Sequence, residues 1–91
     1  LTLFFHTTLL NEFNKEMKIH VENPINFFEL FQLFRTKSHD RADHYFLEKN
    51  YTLKQEINIL VDGVNIQAYQ GLKTILTTDA EIDFFPKLGG G

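Results

Sequence analysis

Phe27, Leu30, Phe31 and Phe34 recur at i, i+3, i+4 and i+7, which places four large apolar side chains on one face of a helix. Asn26 stands immediately before them as an N-cap, Glu29 follows three residues later at capping-box spacing, and Pro24 lies just upstream. A helix that is apolar on one side only must bury that side against another element. The phenylalanines are therefore read as core and not as a cofactor box, since a fully buried Phe contributes about 1.5–3 kcal/mol to a small fold.

The sequence on either side of this helix has the other period. Leu1–Leu9 is rich in aromatic and β-branched residues and predicts a first strand, Asn11–Asn14 has turn chemistry, and Met17, Ile19 and Val21 alternate with Glu16, Lys18 and His20. This is a hairpin with one wet face. Beyond the helix, Ser38–Asn50 is less regular, although Ala42, Tyr45, Phe46 and Lys49 fit a short second helix. Ile57, Ile59 and Val61 then alternate, Asp62-Gly63 has the composition of a type I′ turn, and Val64, Ile66 and Ala68 return as a second hairpin. Gly71 breaks the chain, Thr77-Thr78-Asp79 form another turn, and Glu81–Phe85 make the last strand, ended by Pro86, which has no N–H to extend a ladder. The order ββα(α)βββ predicts an α+β domain, a mixed sheet under one main helix.

A chain of 91 residues is enough for one such core and too small for a deep cleft between two lobes. With 43% hydrophobic and 23% charged residues, and no apolar run near the roughly 20 residues that span a bilayer, the sequence reads as a globular domain without a membrane partner. A net charge of −3 with both signs interspersed offers no stripe to neutralise phosphates, so nucleic acid is not the expected partner. The absence of cysteine excludes disulfides and thiol catalysis and removes the usual tight zinc ligands. The first residue is Leu1 and not methionine, which suggests a trimmed, processed or internally numbered chain; with no signal-peptide pattern, the cytoplasm is the expected compartment. His39, Asp40, Asp43 and His44 share a helical face only in part and are expected to be surface groups without a metal, as are His6 and His20 on strands. Glu12, Glu16 and Glu22 form no carboxylate pair, and no Ser-His-Asp spacing is evident. No autonomous active site is expected.

The candidate site is instead the arm after Pro86. Residues 1–86 form the domain and Lys87, Leu88, Gly89, Gly90 and Gly91 project from it, with a reach of about 17 Å when extended. Lacking Cβ atoms, the final glycines fit a narrow channel and allow the backbone to approach a nucleotide or thiol closely. Taken alone, such a tail is equally what a frayed terminus or a cloning scar looks like.

Its setting gives it weight. Phe84-Phe85-Pro86-Lys87-Leu88-Gly89-Gly90-Gly91 resembles the FFPPVAGG-type ending of the small subunit of molybdopterin synthase (MoaD), with no gap in register. The stretch Ile57–Ile66, followed by Gly71-Leu72-Lys73-Thr74-Ile75-Leu76, is similar to the hairpin and GL-x-T-x-L segment of the MoaD-related small archaeal modifier proteins. The resemblance to this MoaD/ThiS-like sulfur carrier family spans most of the chain and is weakest between Arg35 and Gln55. It implies a β-grasp, ubiquitin-like fold and a carrier without catalysis or an intrinsic cofactor of its own. An E1-like enzyme would use ATP to adenylate Gly91, and a sulfur donor would convert the anhydride to a thiocarboxylate for a cofactor precursor or tRNA. The large molybdopterin synthase subunit is one recipient implied; joining of the activated carboxyl to a target-protein lysine is another. Lys87 and Gly89 depart from the family ending and loosen the arm without removing the carboxyl group. By position, the resemblance also implies a partner-binding patch of Phe85, Tyr69 and Phe5, although simple alternation puts Leu1, Leu3 and Phe5 on a single face. A β-grasp interaction domain with an inert tail is the alternative.

Overall fold

A computed structural model describes residues 1–6, 15–38, 46–48 and 52–86. Five strands, β1 (Thr2–Phe5), β2 (Glu16–Lys18), β3 (Ile57–Val61), β4 (Val64–Asn65) and β5 (Glu81–Pro86), form one sheet in the order β2-β1-β5-β3-β4. The central pair, β1 and β5, is parallel, and every other pair is antiparallel. Helix α1 (Phe27–Ser38) covers one face. This is the α+β arrangement of a mixed sheet under one main helix that the patterning predicts.

The helix begins where its cap chemistry requires. The Glu29 N–H donates to Asn26 Oδ1 at 3.0 Å and the Asn26 N–H to Glu29 Oε1 at 3.2 Å, so both halves of the capping box are made. Its apolar face carries Phe27, Leu30, Phe31 and Phe34 into the core, where they meet the inward residues Leu3 and Phe5 of β1, Ile57, Ile59 and Val61 of β3, and Ile82 and Phe84 of β5. Phe46 joins this cluster, with its ring 4.9 Å from that of Phe84 and 5.7 Å from that of Phe31. Of the short second helix expected over Ser38–Asn50, residues 39–45 and 49–50 lie outside the described residues; Phe46 and Leu47 are buried, and Leu47 bridges to Leu53.

The two hairpins differ from expectation in length. The first strand is regular over Thr2–Phe5, and the remainder of the expected Leu1–Leu9 strand, with the Asn11–Asn14 turn, falls outside the described residues beyond His6. In the second hairpin, Asp62 (φ 49°) and Gly63 (φ 86°) both take the positive φ of a type I′ turn. The return strand is only Val64–Asn65, after which Ile66–Ala68 coils into a 3₁₀ turn instead of continuing as strand. Asn65 is the physical reason: its Oδ1 accepts the Gln67 N–H at 2.9 Å, giving the backbone a local partner in place of the ladder. A second 3₁₀ turn, Gly71–Lys73, leads to the bridge between Ile25 and Leu76. The Thr77 carbonyl then accepts from the Ala80 N–H at 3.1 Å, the turn that starts β5.

Candidate functional site

Strand parity on β5 decides what the root of the arm presents. Ile82 and Phe84 point into the core, so Asp83 and Phe85 stand on the face away from α1. Phe84 is fully buried, and its ring stacks 5.2 Å from that of Phe5 at an interplanar angle of 13°. Phe85 is only partly buried and has a different neighbour. The parallel register pairs Phe5 with Phe84, which carries His6 alongside Phe85. The His6 N–H donates to the Phe84 carbonyl at 3.1 Å, continuing the ladder one residue past β1. The imidazole lies flat on the Phe85 ring, with centroids 4.1 Å apart and planes 6° from parallel.

Asp83 completes the arrangement. His6 Nε2 donates to Asp83 Oδ1 at 2.8 Å, with the two side chains 36% and 26% exposed. A carboxylate only accepts, so the contact fixes the proton on Nε2 and holds the ring in the plane that stacks on Phe85. One face of Phe85 is therefore covered by a neighbour that is itself anchored. The ring is a pre-set apolar element one residue before Pro86, the last residue of β5. Low rotamer freedom makes such an aromatic effective as a docking anchor.

The other members of the expected patch do not gather here. Phe5 is 1% exposed and belongs to the aromatic core. Its place beside Phe85 is corrected: alternation on β1 turns Phe5 inward with Leu1 and Leu3, and the outward neighbour of Phe85 is His6. Tyr69 is 50% exposed at the end of the first 3₁₀ turn, which follows β4 at the far edge of the sheet from β1, and no described ring contact joins it to Phe85. His6 and Asp83 thus enter the site unannounced by any local motif, because only the long-range β1/β5 register brings them together.

Lys87, Leu88, Gly89, Gly90 and Gly91 lie outside the described residues, as do Glu12 and the candidate ligands His39, Asp40, Asp43 and His44. His20 is exposed but lies two residues beyond the end of β2 and not on a strand as expected, because β2 stops at Lys18; its Nε2 is 2.9 Å from Glu22 Oε1. Among the described residues no cluster of three or more His, Asp or Glu side chains is placed to hold a metal ion, and no helix is long and apolar enough to cross a membrane.

Comparison with known proteins agrees with this architecture. The fold is similar to that of a chain in the Amycolatopsis orientalis BexX/CysO complex, 15% identical with a TM-score of 0.79, covering 99% of this chain and 98% of that one. It is also similar to small archaeal modifier protein 1 from Methanosarcina acetivorans (22% identity, TM-score 0.75, covering 99% and 94%). Urm1 from Trypanosoma brucei is a third neighbour (24% identity, TM-score 0.76, covering 99% and 93%). No curated protein matches the sequence. The ThiS family model matches residues 7–91, from the end of the first strand region through the glycine arm. The chain therefore belongs to the ThiS family of ubiquitin-like, β-grasp sulfur carriers.

Proposed function

We propose that this protein is a carrier whose chemistry takes place at the carboxyl group of Gly91, activated in the cytoplasm by an E1-like partner. The carboxylate attacks the α-phosphate of ATP and releases pyrophosphate, leaving an acyl-adenylate. A sulfur nucleophile then displaces AMP to give a thiocarboxylate, or a lysine amine displaces it to give an amide. A free carboxylate is a poor electrophile, and making AMP the leaving group lowers the barrier to that attack. The chain supplies the acyl group and the docking surface, and the partner supplies the catalytic groups.

The observation that carries this reading is the family match, which runs through Gly90-Gly91. The site geometry supports it: β5, after which residues 87–91 follow in sequence, is a central strand of the sheet and ends beside an anchored, partly open aromatic ring. The test is intact mass after incubating the full chain with the E1-like protein of its own genome, ATP and sulfide. Exchange of one oxygen for sulfur, or an adenylate, is expected in the wild type and absent when Gly90-Gly91 is deleted. An unchanged wild-type mass would favour the inert-tail alternative.

A further inference from the structure

The open face of the sheet carries more than Phe85. Asp83 is paired in register with Phe4 on β1 and with Leu60 on β3, and both point away from the helix. Phe4, Leu60 and Phe85 are partly exposed apolar groups around one carboxylate. Farther along the same face, Phe4 pairs with Glu16 of β2, and Thr2 pairs with Glu81 of β5 on one side and Lys18 of β2 on the other. Glu16, Glu81 and Lys18 are all exposed. Among the paired residues just named, the carboxylates Glu16, Glu81 and Asp83 thus outnumber Lys18, and Asp83 stands within the apolar part of the face.

That arrangement bears on what can cover it. A carboxylate placed under an apolar partner would lose its hydration without compensation, which costs more than the apolar contact returns. His6 donates one hydrogen bond to Asp83, and a carboxylate has room for several. We propose that Asp83 is the specificity-determining residue of this face, and that the face fits a protein surface carrying an arginine or lysine beside an apolar side chain. The cation completes the hydrogen bonding of Asp83 while the apolar group lies across Phe4, Leu60 and Phe85. Charge complementarity selects this occupant over an acidic or wholly apolar one. His6 is a positioning residue that orients both the carboxylate and the Phe85 ring. This inference rests on the proposed function, because the occupant it names is the surface of the activating enzyme.

The experiment measures binding of the full chain to its E1-like protein by calorimetry at low and high salt, for the wild type, Asp83→Asn and Glu81→Gln. Asp83→Asn is expected to weaken binding about tenfold and to flatten its salt dependence; Glu81→Gln, at the rim, is expected to weaken it about threefold, mainly at low salt. Urea midpoints distinguish these losses from unfolding, and Glu81→Gln leaves the His6–Asp83 contact intact. Wild-type affinity and salt dependence in both variants would overturn the inference while leaving the proposed function in place. Failure of the wild type itself to bind would overturn both.

Discussion

Phe84 and Phe85 are adjacent and chemically identical, yet the two faces of the sheet use them for opposite purposes. Phe84 is closed in among Phe5, Phe34 and Phe46, where rings replace water on every side. Phe85 faces away from the helix against His6, which is tied to Asp83, and keeps part of its ring open. The helix-covered face is continuous and apolar, whereas the open face is mixed, with carboxylates between its aromatic and aliphatic groups. A small domain that needs both a core and a docking surface can separate them by strand parity alone, because a one-residue step reverses the face.

Exchanging side chains across the two faces tests this separation. Phe84→Ala is expected to have the largest effect, costing about 3–5 kcal/mol as the surrounding rings lose their central contact. Since a domain of this kind is stable by only about 5–15 kcal/mol, urea unfolding should locate the variant near its threshold. Asn26→Ala, which removes the cap of the helix that closes the inner face, is expected to cost about 1 kcal/mol in the same measurement. Phe85→Ala on the open face is also expected to cost about 1 kcal/mol, the value of one aromatic stack, but to weaken docking to the activating enzyme about tenfold or more. Deleting Gly90-Gly91 should alter stability by no more than about 0.5 kcal/mol and abolish activation.

The parts of this architecture that are legible in the sequence are those set by local rules. The capping box at Asn26 and Glu29, the positive-φ turn at Asp62-Gly63 and the inward and outward parity of Phe84 and Phe85 all depend on residues within a few positions of one another. The early end of β4 was carried by Asn65, whose side-chain bond competes with strand pairing, a signal that the alternation of Val64, Ile66 and Ala68 hides. For the site, parity requires only that Phe84 and Phe85 face opposite ways and the family resemblance is what turns Phe85 outward, while its partners are readable from neither. His6 and Asp83 are separated by most of the chain, and only the parallel pairing of β1 with β5 makes them neighbours. Phe5 is instructive for the same reason: alternation within β1 turns it inward, whereas carrying over a family position turns it outward, and the local rule prevails.

Measuring Phe84→Ala and Phe85→Ala side by side, each for its urea midpoint and for ATP-dependent activation of Gly91 at a temperature where both remain folded, tests the separation most directly. The account predicts that the first loses several times more stability than the second, and that the second alone, while folded, loses activation through weakened docking. Full activation of Phe85→Ala, or a loss of stability equal to that of Phe84→Ala, would contradict it.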